Sequence, residues 1–147
     1  MTIKTILVPT DFSEPSIDAL NYATDLATAF TASIHMLHIV QDPLAEPWGL
    51  EGYGPLPPDI FKEIKARAQK ELEQSLPEPE RKTYNATLVT SEGAPFSQIV
   101  EYAKTQRVDL IVMGTHGRGA LAHAILGSVA ERVVRFAPCP VLTVRHK

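Results

Sequence analysis

The feature that most limits what this chain can fold into is its alternation of short apolar runs with longer helical periods. "TIKTILVP" (2–9) carries Ile6, Leu7 and Val8 in a row, the pattern of a strand buried on both faces. Ser13 offers an N-cap, with Glu14 and Pro15 in the first turn, where a carboxylate and a missing N–H are both tolerated. Ile17, Leu20, Ala23, Ala27 and Phe30 follow at spacings of three and four and share one helix face. "SIHMLHIV" (33–40) is a second strand. A helix over 59–76 places Ile60, Ile64, Ala68 and Leu72 at spacings of four. "YNATLVTSEG" (84–93) is a third strand and "PFSQIVEYAKTQ" (95–106) a helix through Phe96, Ile99 and Ala103. "VDLIVMG" (108–114) is a fourth, buried strand, "SVAERVVRFA" (128–137) a short helix, and "CPVLTVRHK" (139–147) a closing strand. Strand and helix alternate four times with no hairpin signal between consecutive strands. Right-handed crossovers then give an α/β fold: a single doubly wound, Rossmann-like five-stranded parallel sheet with helices on both faces. This pattern does not by itself fix the strand order.

Two segments interrupt the alternation. "PEPERK" (77–82) reads as a connector. Residues 41–58 hold five prolines and three glycines, too irregular for an element and longer than most connections in compact domains. They read as a lid or surface excursion, not a domain linker. At 147 residues the chain is most naturally one domain spanning 1–147, and folding buries roughly 70% of the surface of a chain this long. Seventeen acidic residues against fourteen basic give a net charge of −3, which argues against bulk binding to nucleic acid or to an anionic membrane. No apolar run is long enough to span a bilayer and no leader pattern opens the chain. The lone Cys139, between Pro138 and Pro140, cannot form an internal disulfide and fits a reducing compartment. It reads as a small packed side chain, with a redox sensor as the alternative. The expectation is a soluble cytoplasmic protein.

In doubly wound sheets ligands sit beyond the carboxyl ends of the strands, where the winding reverses. That directs attention to "PTDF", "VQD" and "MGTHG". Gly114 and Gly117 would let the backbone take positive φ and bring N–H groups near an anion. Gly127-Ser128 opens a helix whose first N–H groups are unpaired and whose dipole favours negative charge. Arg118 adds a mobile cation for a terminal phosphate. Two glycine-lined surfaces suit a chain of phosphates better than one carboxylate. No Gly-Lys pair exists in the chain, which removes the Walker A reading. "GRGALA" (117–122) fits the dinucleotide fingerprint only formally, because it follows the fourth strand and lacks the downstream acidic residue. Asp11, just past the first strand beside Thr10, is placed to accept hydrogen bonds from a ribose hydroxyl or an adenine amino group. Its bland alternative is an Asx turn ahead of Ser13.

"MGTHGRGALAHAILGSV" carries G-x2-G-x9-G-S in full and resembles the nucleotide-binding motif of the universal stress protein family. The resemblance extends along the chain through "ILVPTDFSEPS", "DLIVMGTHGRG", "AILGSVAERVV" and "CPVLTVRHK". It implies a strand order of 3-2-1-4-5, binding of ATP by members with the full glycine motif, and homodimers. Carried onto this sequence, Pro9, Thr10 and Asp11 would line the adenosine end, and Val40 and Met113 would pack around the base. Gly114, His116, Gly117 and Arg118 would lie at the ribose and phosphates, and Gly127, Ser128 and Val129 would donate backbone N–H groups. His123 carries no assigned role. The final strand invites antiparallel pairing of two copies through Val141, Leu142, Thr143 and Val144; the charges of Arg145, His146 and Lys147 oppose it. The downstream protein partner is unknown, and the lid is where it would be met.

Hydrolysis needs a positioned base, usually with metal-bridged phosphates. His116 is the one evident candidate, and a lone loop histidine is more often a packing residue. His35 and His38 lie on opposite faces of a strand and cannot share a metal. No G-x-S-x-G elbow makes Ser128 a nucleophile. Mg²⁺ would accompany ATP through the phosphates, without dedicated protein ligands. The sequence therefore suggests a nucleotide-binding regulatory module with little or no turnover. The alternatives are a slow ATPase or phosphotransferase using the same pocket, and, more weakly, a dimeric interaction protein with an empty pocket.

Overall fold

The computed structural model describes residues 1–41, 57–116 and 126–147. In chain order these form β1 (Thr5–Pro9), α1 (Glu14–Phe30), β2 (Ser33–Val40), α2 (Pro58–Ser75), α3 (Glu78–Thr83), β3 (Thr87–Glu92), α4 (Pro95–Thr105), β4 (Leu110–Gly114), α5 (Ser128–Phe136) and β5 (Val141–Val144). The five strands make one sheet in the order β3-β2-β1-β4-β5, and every pairing is parallel. The expected architecture and strand order are both present.

Alternation along the strands divides the core into two layers. Ile6 and Val8 of β1 join Ile34, Met36 and Val112 under α1 and α2, together with Leu72 and Leu76. Leu7 faces the other way, with Leu37, Ile39, Ile111 and Met113 against Ile99 and Ala103 of α4 and Ala130 and Val133 of α5. A strand apolar at consecutive positions is thus wetted on neither side.

The helix faces depart from expectation in two places: in α2, Ile60 of the expected face is 38% exposed and only Ala68 and Leu72 are buried, and in α1 the stripe is rotated. The buried residues of α1 are Ser16, Ala19, Leu20, Ala23 and Ala27, whereas Ile17 and Phe30 are 49% and 44% exposed. The small side chains let the helix lie close to the sheet, and the buried stripe is rotated toward them. The connector at 77–82 is also helical. Its prolines occupy the entry of α3, where no N–H is needed, and its charges run from Glu78 and Glu80 to Arg81 and Lys82, matching the helix dipole. Asn85 then takes φ 44°, which delays β3 to Thr87. At the front of β1, the Lys4 and Thr5 amides donate to Asp109 Oδ2 at 2.9 and 3.0 Å, so the strand begins later than its apolar text.

Candidate functional site

β1 and β4 are neighbours although they are not consecutive, so the winding reverses between them and their carboxyl ends open a crevice. A cleft of about 660 Å³ lies there, within the range of small-molecule sites. Ten of the residues singled out in the sequence surround it. Pro9, Thr10 and Asp11 come from the β1–α1 junction, Val40 from β2, and Met113, Gly114 and His116 from the end of β4. Gly127, Ser128 and Val129 come from the start of α5. Gly117, Arg118, His123 and nearly all of the 41–58 excursion lie outside the described residues.

The β1–α1 junction is built from polar side chains that satisfy one another. Asp11 Oδ1 accepts from the Ser13 amide at 3.1 Å, from the Ser13 hydroxyl, and from Ser16 Oγ at 3.2 Å. The Asx-turn role of Asp11 is therefore realised, on a residue that also lines the cleft. Thr10 Oγ1 accepts from the Phe12 amide at 3.1 Å and donates to Ser16 Oγ at 3.1 Å. Between them Phe12 sits at φ 65°, a conformation that costs a non-glycine residue about 1–3 kcal/mol. Each hydrogen bond contributes about 0.5–1.5 kcal/mol, so several are needed to hold the turn.

The glycines act otherwise than their spacing suggests. Gly114 does not take positive φ; Gly93 is the described glycine that does. A Cβ at Gly114 would lie 2.8 Å from Pro15 Cβ and 2.9 Å from the Pro15 carbonyl carbon, so this glycine admits the first turn of α1 against β4. A Cβ at Gly127 would lie 3.0 Å from the Thr115 carbonyl oxygen. The Gly127 amide is already bound to that oxygen, at 2.6 Å. It is turned into the protein rather than toward a ligand, correcting its expected role as a phosphate donor. Gly127 is the N-cap of α5 and gives no side-chain cap; Ser128, Val129 and Ala130, the first helical residues, whose amides have no partner within the helix, line the cleft. The dipole makes this end positive, and the Asp11 carboxylate lines the same cleft.

His116 Nδ1 lies 3.0 Å from Thr115 Oγ1. The two strand histidines diverge as expected. His35 Nδ1 is 2.9 Å from the Tyr102 hydroxyl in the α4 layer, where burial lowers the pKa of His35 and raises that of Tyr102. His38 lines the cleft instead, with Nδ1 2.8 Å from the Thr10 carbonyl oxygen. Burial, reinforced by the negative charge of Asp109 and opposed by a hydrogen bond from the Ile111 backbone, pushes the Cys139 thiol up. A thiol kept protonated is a poor redox nucleophile, in keeping with a packed side chain. Among the described residues no group of three or more His, Cys, Asp or Glu is arranged to hold a metal ion, and no helix is long and apolar enough to cross a membrane.

Sequence reasoning missed several lining residues, among them Ser16, His38, Ile64, Pro95, Thr115 and Ala130. Ile64 and Pro95 belong to helices far along the chain, and only the folded sheet brings them to the crevice. Thr115 and Ala130 adjoin residues already selected and were within reach.

A sequence model of the Universal stress protein family matches residues 2–145. The chain is 37% identical over 142 residues to Universal stress protein MJ0531 of Methanocaldococcus jannaschii, covering 97% of this chain and 82% of that protein. Universal stress protein UspA from Lactobacillus plantarum has a similar structure, with a TM-score of 0.80 at 26% identity over 99% of both chains. Two more distant structures share the fold. One is a universal stress protein in complex with cAMP, at 23% identity and a TM-score of 0.69, covering 99% of this chain and 98% of the other. The second, from Archaeoglobus fulgidus, is in complex with dAMP, at 22% identity and a TM-score of 0.61, covering 98% and 99%.

Proposed function

The chain belongs to the universal stress protein family, and from that premise we propose that it is a nucleotide-dependent regulatory module whose cleft binds ATP. The observation that carries this reading is the lining of one cleft by the Asp11 carboxylate turn, by the uncapped start of α5 at Ser128 and Val129, and by the apolar Val40, Ile99 and Met113. A nucleotide presents amino and hydroxyl donors at one end and phosphate acceptors at the other, so a carboxylate and a helix start suit its two ends. Relatives solved with cAMP and dAMP support an adenine nucleotide.

In this reading Asp11 accepts from the base or ribose, Val40 and Met113 pack on the base, and the Ser128 and Val129 amides meet the phosphates. Gly114 and His116 line the cleft, and Gly117 and Arg118, which follow His116 in sequence, would meet the ribose and phosphates. Bound ATP would supply phosphate charge, and Mg²⁺ would travel with it. The protein would carry its liganded state, in the cytoplasm, to a partner protein. We propose little or no turnover, with His116 held beside Thr115 as a loop residue. The presence of His116 and Asp11 around one cleft favours a slow ATPase as the second reading. We also propose a homodimer through β5, the edge strand, whose Leu142 is 37% exposed.

The test is to denature freshly purified protein and identify the released nucleotide, then to follow hydrolysis in the refilled sample. Stoichiometric ATP with no rate above a Gly127→Val control supports the module. A specific rate lost in that variant supports the enzyme, and an empty protein that takes up no nucleotide contradicts both.

A further inference from the structure

The β1–α1 turn that carries Asp11 is met from β2 by the side chain of His38. Its Nδ1 lies 2.8 Å from the Thr10 carbonyl oxygen. A carbonyl only accepts, so Nδ1 carries the proton and the neutral ring is fixed as the Nδ1–H tautomer. The same ring lies against Phe12, with centroids 4.5 Å apart and planes tilted by 30°. Phe12 is the residue at positive φ. His38 thus touches the residue on each side of Asp11, one through its backbone carbonyl and the other through its ring. It also lines the cleft itself, and the Thr10 amide is tied back to the Leu37 carbonyl at 2.9 Å, next to His38 in the same strand. Asp11 is therefore clamped between two neighbours that β2 holds in place.

We propose that His38 is a positioning residue for the nucleoside end of the cleft: its Nδ1–H and ring together fix the Thr10–Phe12 backbone so that Asp11 is presented to the ligand. The proposal rests on the nucleotide reading above, deepens it, and says nothing of the phosphate end.

Two variants separate the hydrogen bond from the ring and from bulk packing. His38→Phe keeps a ring against Phe12 and removes the donor. His38→Asn places an amide N–H near the position of Nδ1 and restores the donor. Affinity for ATP and for adenosine is measured by calorimetric titration, with the urea midpoint recorded for each variant. The expected result is that His38→Phe weakens ATP and adenosine by the same factor, about tenfold, as loss of one ligand-orienting hydrogen bond allows. His38→Asn should lie within about threefold of the wild type. A phenylalanine variant that binds adenosine as the wild type does overturns the proposal and leaves the nucleotide reading standing. So does an asparagine variant as weak as the phenylalanine one. A wild-type protein that binds neither ligand overturns the nucleotide reading, and this inference falls with it. Nitrogen-15 spectra of the wild-type imidazole give a check independent of any ligand: the Nδ1–H tautomer is expected, and the Nε2–H tautomer contradicts the clamp.

Discussion

The two sides of the cleft are made by opposite means. At the β1–α1 junction side chains form the site: Thr10, Asp11, Ser13 and Ser16 bond to one another, and a strained Phe12 is held among them. At the start of α5 the N-cap brings no side chain, and the first-turn residues Ser128, Val129 and Ala130, whose amides lack helical partners, line the cleft. The first side is preorganised and pays its conformational cost during folding. The second side leaves polar groups whose natural partner is an anion. One site can thus combine a shape-specific pocket for a nucleoside with a charge-selective end for phosphates.

The largest effect should come from forcing the first turn of α1 away from β4. Gly114→Val puts side-chain atoms into the backbone of Pro15, where even a Cβ would be 2.9 Å from the carbonyl carbon. It should cost about 1–3 kcal/mol by urea denaturation and weaken ATP and adenosine together. Gly127→Val perturbs one side only, by crowding the Thr115 carbonyl. ATP affinity should fall about tenfold, as loss of one to two charge-assisted hydrogen bonds implies, with adenosine within about twofold. Equal losses for the two ligands would erase the distinction between the ends. Asp11→Ala removes the acceptor of the Ser13 amide and should cost about 1 kcal/mol of stability. Asp11→Asn keeps that acceptor and should recover most of it, while still binding adenosine more weakly than the wild type.

The smallest effect concerns the tail beyond β5. His146 Nδ1 is 2.6 Å from Asp18 Oδ2 and Nε2 is 3.0 Å from Glu14 Oε2, tying the C-terminal residues to the first turns of α1. The hydrogen bond to Asp18 raises the His146 pKa, opposed by desolvation and helped further by the charges of Asp18 and Glu14. A histidine whose folded pKa is raised stabilises fully below its ordinary value of 6.5 and loses that contribution as pH rises through the folded value. His146→Gln should therefore lower the urea midpoint slightly at pH 5.5 and leave it unchanged at pH 9. A pH-independent difference would mean that the contact is packing rather than charge.

Much of this was legible before the fold was seen, for reasons that are local. Consecutive apolar residues in "ILV" and "LIVM" marked strands buried on both faces, and Gly127-Ser128 marked a helix start. The less legible parts depend on tertiary placement. The rotation of α1 toward Ser16, Ala19 and Ala23 reflects how close the sheet is, which apolar spacing alone does not encode. The purpose of Gly114 is the approach of Pro15, distant in sequence. α3 hid behind two prolines that usually break a helix and here begin one. His38 is the clearest case: a strand histidine with an ordinary sequence neighbourhood acquires its place from the turn that β1 lays beside it.

The central claim is that the two ends of one cleft bind the two ends of one nucleotide. Calorimetric titration of ATP and adenosine into the wild-type protein tests it most directly. The account predicts that both bind competitively at one site per chain, with ATP at least about tenfold tighter because only ATP reaches the α5 start. Adenosine binding as tightly as ATP, or the two ligands failing to compete, would contradict it.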